Sequence, residues 1–358
     1  MKKIEKRAVL CVILAAALLL GLGIYLYRFV RHGASWASFP SNRHLYNSQG
    51  QLASGTVTDR DGDILTQVDG DGRRTYYDSA AVRRATLHVV GDPSGNIGTG
   101  ALTAFADKLS GYNLLTGAYS PLGSGNTLAL TIDAHYNYVA YNALDGRKGT
   151  VGVYNYKTGE MLCMMSNPAF DPLDPPTIEN GDERWEGVYL NRFLSSTFTP
   201  GSVFKTVTMT AAIENIPDLY SREWECTGAT EIGGSPVTCL DAHGKINIDQ
   251  ALAKSCNAVF AKLAVELGPE LMQQYADKCG LTAKYSVNGI STVPSSFAFS
   301  GTTENQLGWA GVGQHNDAIN PCSLMVFMGA VANGGQAAVP QLIQSVHAGF
   351  GLSTYGYG

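Results

Sequence analysis

Charged residues are scarce in this sequence of 358 amino acids, of which only 15% are Asp, Glu, Lys or Arg. The formal net charge is -5, and lysines and arginines cluster only within the first 31 residues. This distribution argues against a nucleic-acid surface, so we expect no nucleic-acid partner. Hydrophobic residues reach 45%, which argues against a disordered or fibrous chain and predicts two folded units with a full-sized core.

Cysteine is also too rare to define the fold. Cys226 and Cys239 flank a glycine-rich turn, so a disulfide between them stays open in an oxidising compartment. Together with His243 they could act as metal ligands, but three candidates without a second close pair argue against zinc. We therefore expect no metal and no cofactor. Seven scattered cysteines do not form a disulfide scaffold: Cys11, Cys163, Cys226, Cys239, Cys256, Cys279 and Cys322.

One long apolar run stands near the N-terminus. Between Arg7 and Arg28 lie 20 uncharged, mostly apolar residues, which at about 1.5 Å per residue can cross a hydrocarbon core of ~30 Å. More basic residues precede the run than follow it, so the positive-inside rule favours a cytoplasmic N-terminus and an exported remainder. The alternative is a signal peptide cut near "SWA" at 35–37, although its apolar region is usually shorter. We predict a cytoplasmic tail over residues 1–7 and a single-pass membrane anchor over 8–30.

Beyond the anchor, the sequence changes character near residue 125. Residues 31–125 are rich in Gly, Asp, Ser and Tyr with short alternating runs, which predicts a strand-containing region next to the membrane. A second domain is predicted over 126–358, beginning with a strand at 128–132. A helix and two strands joined at a Lys-Thr-Gly turn come next.

Three helical patterns follow in this second domain. Strands before helices predict an α/β (α+β) fold rather than an array of βαβ units. The middle pattern is interrupted at Ser255, and the three patterns cover residues 202–215, 248–267 and 322–333.

The stretch "FTPGSVFKTVTMTAAIEN" (198–215) carries the first candidate chemistry. Pro200 begins a predicted helix, so Ser202 falls in the first turn, where unpaired backbone amides can stabilise an oxyanion. Lys205 projects from the same side one turn later and can reach the hydroxyl. A serine needs a base, and a free lysine with a pKa near 10.4 is protonated at pH 7. Burial must lower that pKa, so we expect a dry and crowded site.

A second element, "ALAKSCNAVFAKL", strengthens a pattern that is otherwise common. Alone, Ser202 also fits a helix cap beside a solvated Lys205. Ser255 and Asn257 lie at the corner between two helical patterns, where the serine could relay a proton and the asparagine could hold a peptide carbonyl. The other Ser-x-Asn triplets lie in turn-like surroundings and begin at Ser94, Ser124 and Ser286.

With these residues, the sequence resembles the transpeptidase module of class B penicillin-binding proteins, most closely the penicillin-binding protein A type. The resemblance covers nearly the whole chain. "GTVTDRDGDILTQ" resembles the segment after the anchor, "NRFLSSTFTPGSVFK" the nucleophile region and "HGKINIDQALAKSCNAVF" the Ser-x-Asn corner. It implies the fold of penicillin-binding proteins and serine β-lactamases, with 31–125 as a small pedestal and 126–358 as the transpeptidase domain.

The resemblance also implies roles for four residues. Ser202 would attack the penultimate D-alanine carbonyl of a peptidoglycan stem peptide, with Lys205 as base. Ser255 would pass the proton to the leaving amine, and Asn257 would position the substrate. An amine of a neighbouring strand would resolve the acyl-enzyme into a cross-link, and β-lactams would trap the same serine. The implied partners are stem peptides, β-lactam antibiotics, the cytoplasmic membrane and a membrane glycosyltransferase, with the catalytic domain extracytoplasmic.

One motif departs from the family pattern. The family's Lys-Thr/Ser-Gly strand, which clamps the substrate carboxylate, should follow the Ser-x-Asn corner. The only copy here, residues 157–159, precedes the nucleophile and is predicted to be a turn. We therefore expect a C-terminally incomplete domain that is poorly active as given. The alternatives are a noncatalytic cell-wall assembly scaffold and a β-lactam-binding sensor. A β-lactamase relative fits less well, since the pedestal has no obvious use there.

Overall fold

A computed structural model describes residues 2–37, 52–111, 125–347 and 353–356. The chain divides into two compact units. Unit 1 comprises residues 1–138, 169–177 and 343–358, and unit 2 comprises residues 139–168 and 178–342.

The helices and strands are numbered here in chain order over the described residues. Short 3-10 helices lie at Glu183–Trp185, Gly201–Phe204 and Leu219–Ser221. The α-helices are α1 (Lys2–Ala37), α2 (Ala80–Val90), α3 (Ala101–Ala104), α4 (Ala106–Leu109), α5 (Ala134–Leu144), α6 (Arg192–Ser195), α7 (Lys205–Asn215), α8 (Ile248–Ala253), α9 (Asn257–Lys278), α10 (Glu304–Gly311) and α11 (Pro321–Ala332). The strands are β1 (Thr56–Thr58), β2 (Ile64–Val68), β3 (Arg74–Tyr76), β4 (Thr127–Leu130), β5 (Gly149–Tyr154), β6 (Met161–Asn167), β7 (Trp224–Cys226), β8 (Ala229–Ile232), β9 (Ser235–Thr238), β10 (Gly244–Ile246), β11 (Ser286–Val287), β12 (Ile290–Ser291), β13 (Ile343–His347) and β14 (Ser353–Gly356).

Helix α1 contains the predicted anchor. Within its segment Lys6–Gly33, the most apolar window of 18 residues has a mean hydropathy of 2.8, and none of this window is buried against the described protein. Exposed apolar side chains on all sides of a long helix favour a lipid rather than an aqueous surrounding. Length and composition therefore suit a membrane span, and a signal sequence has the same properties.

Unit 1 is organised by a mixed sheet with the strand order β14-β13-β4-β1-β2-β3. Strands β1 and β4 run parallel, and the other neighbours are antiparallel. Because β1 pairs with β4, the strand predicted to open the second domain belongs to the sheet of unit 1. The packing units therefore do not coincide with the predicted boundary between residues 125 and 126.

Two arginines, the buried Arg74 and the partly buried Arg83, hold loops together within unit 1. The Arg74 guanidinium donates to the carbonyls of Leu52 at 2.8 Å and Ser54 at 2.7 Å. Burial lowers the pKa of Arg74 to about 10. Arg83 forms a two-pronged pair with the Asp171 carboxylate at 2.7 and 2.6 Å. Hydrogen bonding to Arg83 holds the pKa of Asp171 below its usual value.

Unit 2 contains a large apolar core formed by α7, α9, α10 and the segments around them. Residues such as Phe204, Val207, Phe260 and Leu263 are almost fully buried there. The predicted interruption at Ser255 separates α8 from α9. Helix α9 also breaks at Gly268, whose φ of 80° is non-helical and precedes Pro269. The helical patterns predicted at 202–215, 248–267 and 322–333 are confirmed, with these breaks.

Candidate active site

A tight glycine turn presents Ser202. The 3-10 helix Gly201–Phe204 runs directly into α7, and Ser202 is exposed. Gly201 has a φ of +62°, and its amide donates to the Gly313 carbonyl at 2.7 Å. Gly313 has a φ of +81°, and a Cβ there would collide with the Gly201 carbonyl. The left-handed backbone and the close approach together require glycine at position 313.

The side chain of Lys205 is the buried centre of the site. It is 1% exposed, and its Nζ lies 3.0 Å from Ser202 Oγ and 2.8 Å from Ser255 Oγ. The Ser255 carbonyl at 2.8 Å and Asn257 Oδ1 at 2.6 Å complete the surrounding oxygens. An ammonium group can donate to three of these four oxygens, and a neutral amine can donate to two and accept from one serine hydroxyl. The contacts therefore fit both protonation states, as a group that exchanges a proton with serine requires.

The electrostatics of Lys205 point in the same direction. Burial lowers the pKa of its amine to about 8, and the electrostatic influence of Cys239 and Cys256 counteracts only part of this effect. At neutral pH about one tenth of the lysine is then uncharged. This fraction is enough to act as a base, and a solvated lysine would have far less.

The corner at Ser255 explains how one residue places two oxygens on Lys205. Helix α8 ends at Ala253 in a Schellman motif, in which the Cys256 amide donates to the Ala251 carbonyl at 2.8 Å and the Ser255 amide to Leu252 at 3.0 Å. Ser255 takes the left-handed position of this motif, with a φ of +53° where glycine is usual. This strained conformation aims both its hydroxyl and its carbonyl at the lysine.

Asn257, at the first position of α9, is fixed at both ends of its carboxamide. Its Oδ1 accepts from Lys205, and its Nδ2 donates to the carbonyl of Thr238 at 2.8 Å. A carboxamide nitrogen carries two hydrogens, so Asn257 can keep this bond and still donate to a substrate carbonyl.

The structure thus brings together the four predicted site residues, Ser202, Lys205, Ser255 and Asn257, and their roles stay predictions. The expectation of a dry site was wrong for the hydroxyls, because Ser202 and Ser255 are both exposed while only the Lys205 side chain is buried. The two serines lie at the exposed ends of helices, and the lysine reaches them from underneath.

The copy of Lys-Thr-Gly in the sequence is a turn, as predicted. Asn155 Oδ1 accepts from the amide of Lys157 at 3.0 Å, and Gly159 donates to the Asn155 carbonyl at 2.8 Å. The turn joins β5 to β6, and the Lys157 side chain is exposed. These contacts are typical of an Asx turn and give residues 157–159 a structural role.

A cluster of four potential metal ligands adjoins the site and departs from the sequence expectation. Cys226 and Cys239 are free thiols, not a disulfide. With His243 and Cys256 they place four donor atoms within 4.8 Å of one another. The argument against zinc was therefore wrong in its premise, because a fourth ligand exists. It was missed because Cys256 is the middle residue of the Ser-x-Asn triplet. The spacing C-x12-C-x3-H-x12-C is the signal that could have revealed it.

Comparisons with known proteins agree with this geometry. Residues 149–355, which include all four site residues, match the family described as "Penicillin binding protein transpeptidase domain". The peptidoglycan D,D-transpeptidase PbpA of Mycolicibacterium smegmatis is 25% identical over 348 residues, covering 86% of this chain and 68% of that protein. PbpA of Mycobacterium tuberculosis is 27% identical over 224 residues, covering 56% of this chain and 43% of that protein.

The fold agrees with a solved structure as well. The crystal structure of PBPA from Mycobacterium tuberculosis superposes with a TM-score of 0.71 at 23% identity, covering 85% of this chain and 76% of that chain. The mixed α/β fold predicted from the sequence is thereby confirmed. The match to the family covers more than half of the sequence, and the chain therefore belongs to the penicillin-binding protein transpeptidase domain family.

Proposed function

We propose that this chain is a peptidoglycan D,D-transpeptidase that acts through an acyl-enzyme on Ser202. The observation that carries the proposal is the position of Lys205 Nζ, which is buried yet lies 3.0 Å from Ser202 Oγ and 2.8 Å from Ser255 Oγ. A hydroxyl nucleophile, a base with a lowered pKa and a second hydroxyl that can relay a proton are the parts that acyl transfer requires.

In the first half-reaction, uncharged Lys205 takes the proton of Ser202 as Oγ bonds to the penultimate D-alanine carbonyl carbon. Negative charge gathers on the carbonyl oxygen, near the first turn of the 3-10 helix, whose amides lack partners within the helix. Lys205 then returns the proton through Ser255 to the nitrogen of the terminal D-alanine. The peptide bond breaks, leaving an ester on Ser202 and free D-alanine.

In the second half-reaction, the amine of another stem peptide attacks the ester carbonyl. Its proton passes to Lys205, and the Ser202 oxygen leaves and regains a proton from the lysine. The new amide cross-links two strands. A β-lactam acylates Ser202 by the same first step, but its leaving nitrogen stays attached to the opened ring and blocks the acceptor amine.

Helix α1 supports a location at the cytoplasmic membrane, with the catalytic unit on the extracytoplasmic side where peptidoglycan lies. The basic residues at the start of α1, ahead of the apolar run, favour this orientation. A membrane glycosyltransferase that supplies uncross-linked strands is the partner that this reaction needs.

The direct test is covalent labelling of the 358-residue chain in membranes with a fluorescent penicillin. We expect labelling that mass spectrometry locates on Ser202. Ser202→Ala abolishes it. Ser286→Ala, which alters an exposed serine of another Ser-x-Asn triplet, leaves it unchanged. Label that persists in Ser202→Ala, or no label after prolonged incubation, contradicts the proposal, and the second result favours a noncatalytic scaffold.

A further inference from the structure

Three segments of unit 2 bring three thiols and one imidazole to a single point. Cys226 ends β7, Cys239 follows β9, His243 precedes β10, and Cys256 caps α9. Cys239 Sγ lies 3.8 Å from Cys226 Sγ and 3.7 Å from Cys256 Sγ. The Nδ1 atom of His243 lies 3.4 Å from Cys226 Sγ. None of the four side chains belongs to the acyl-transfer steps above.

These separations match the distances between ligand atoms in a tetrahedral metal site. With Zn–S bonds of about 2.3 Å and a Zn–N bond of about 2.05 Å, sulfurs lie about 3.8 Å apart and sulfur and nitrogen about 3.6 Å apart. A disulfide would need a separation near 2.05 Å, would use two of the three thiols and would leave the imidazole idle. Cys239 is also equally close to both other cysteines, so no pair is singled out.

Backbone amides donate hydrogen bonds to sulfur atoms of this cluster. The amide of Ala258, in the first turn of α9, donates to Cys239 Sγ at 3.3 Å. The amides of His243 and Gly228 donate hydrogen bonds to Cys226 Sγ. Amide donors and a helix N-terminus favour the negative sulfur that a soft divalent ion binds.

We infer that Cys226, Cys239, His243 and Cys256 bind one Zn²⁺ ion in a closed tetrahedral Cys3His site. Binding converts the thiols to thiolates and releases their protons to solvent. The His243 ring binds through Nδ1 and keeps its hydrogen on Nε2. Four protein ligands leave no open position, so the ion is structural rather than a Lewis acid for the reaction.

The site also has a consequence for the Ser-x-Asn corner, and this part rests on the proposed function. Cys256 lies between Ser255 and Asn257, and Cys239 follows Thr238, whose carbonyl holds the Asn257 amide. A bound ion joins these two segments directly. It therefore acts as a positioning element for Ser255 and Asn257 without touching the substrate.

The first test measures metal rather than activity. The full chain, purified in detergent, is given Zn²⁺ alone and then passed through gel filtration before elemental analysis. We expect one zinc per chain, and cobalt substitution should give thiolate-to-cobalt charge-transfer absorption with intense tetrahedral d–d bands. His243→Ala and Cys256→Ser should weaken zinc binding at least about tenfold, whereas Cys279→Ser, outside the cluster, should not. Chain without zinc, or a disulfide within the cluster, overturns the inference.

The second test needs no variant and therefore remains informative if the variants fail to fold. A chelator applied to the unaltered chain should lower its melting temperature, and added zinc should restore it. Penicillin labelling should slow in parallel and recover with zinc. If zinc binds but Ser202 never labels, the proposed function fails and the metal site stands. If the chelator leaves the melting temperature unchanged and no zinc is found, the inference of a metal site is wrong, whatever the labelling shows.

Discussion

Arg83 in unit 1 and Lys205 in unit 2 have opposite electrostatic surroundings. In unit 1, Arg83 has a carboxylate partner, and hydrogen bonding to Asp171 raises its pKa above the ordinary value. In unit 2, the four oxygens around Lys205 come from hydroxyl, carbonyl and carboxamide groups, none of them charged. A carboxylate partner favours the charged form of a cation, whereas burial without one favours the neutral form. Arg74 in unit 1 is also buried among uncharged oxygens, but its pKa of about 10 leaves it charged at neutral pH, whereas a pKa of about 8 lets Lys205 release a proton.

The largest expected effect comes from replacing Lys205, the proposed base, with a residue that stays protonated at neutral pH. Lys205→Arg keeps the charge, but a guanidinium does not act as a base at neutral pH. We expect penicillin acylation to slow about 1,000-fold, within the range for loss of a general base. Stopped-flow or gel-based labelling measures the rate. Arg83→Lys is the matched change in unit 1 and should leave the rate unaltered. Equal loss in both variants would show that the comparison is wrong.

The next effect comes from giving Lys205 a carboxylate, as Arg83 has. Asn257→Asp places a negative charge beside the amine and should raise its pKa from about 8 toward 10. The uncharged fraction at pH 7 then falls, and acylation slows about 100-fold. The pH at half-maximal rate moves upward. Asn257→Ala removes the amide without adding charge, so its midpoint should stay below that of Asn257→Asp. Identical pH profiles for Asn257→Asp and Asn257→Ala would contradict the expectation that the added charge raises the pKa of Lys205.

The pH dependence of the unaltered chain is a smaller effect. The uncharged form of Lys205 is the active one, and its pKa is lowered to about 8, so acylation should rise with pH through that value. Between pH 7 and pH 9 the uncharged fraction increases about tenfold. Labelling rates over this range, with melting temperature measured alongside, test the prediction. A rate that is flat or falls as pH rises would exclude neutral Lys205 as the base.

The smallest expected effect concerns the ion pair between Arg83 and Asp171. Asp171→Asn removes one charge but keeps an acceptor, and Arg83 retains the carbonyls of Tyr77 and Asp78. We expect the free energy of unfolding to fall by about 1 kcal/mol, with the labelling rate unchanged. Because Arg83 lowers the pKa of Asp171, this contribution is present above the unfolded pKa and disappears as pH falls through the folded value. Denaturant unfolding at neutral and acidic pH measures it. An unchanged difference at low pH would contradict it.

Local patterns predicted much of the fold. The helices at 202–215 and 322–333, the break at Ser255 and the turn at 157–159 follow from short-range periodicity and turn chemistry, and all are present. The division into units was not predictable in this way, because it depends on the pairing of β1 with β4 across about 70 residues of sequence. Sequence patterns carry little information on such long-range pairing.

The candidate site shows the same limit. The spacing of Ser202 and Lys205 and the corner at Ser255 indicated which residues meet, but not how exposed each would be. Burial of the lysine beneath two exposed serines is a property of the packed helices. The fourth potential metal ligand, Cys256, was not predicted because it lies inside the Ser-x-Asn triplet, whose pattern pointed to catalysis.

Ser255 has a further consequence for how this domain could be engineered. Glycine would relax the left-handed backbone there, removing a strain on the order of 1–3 kcal/mol. Selection for thermal stability alone should therefore favour glycine at this position, and the hydroxyl that relays the proton would be lost. A library screened for both thermal stability and penicillin acylation should keep serine. The residue found at position 255 therefore shows whether stability or acylation was selected.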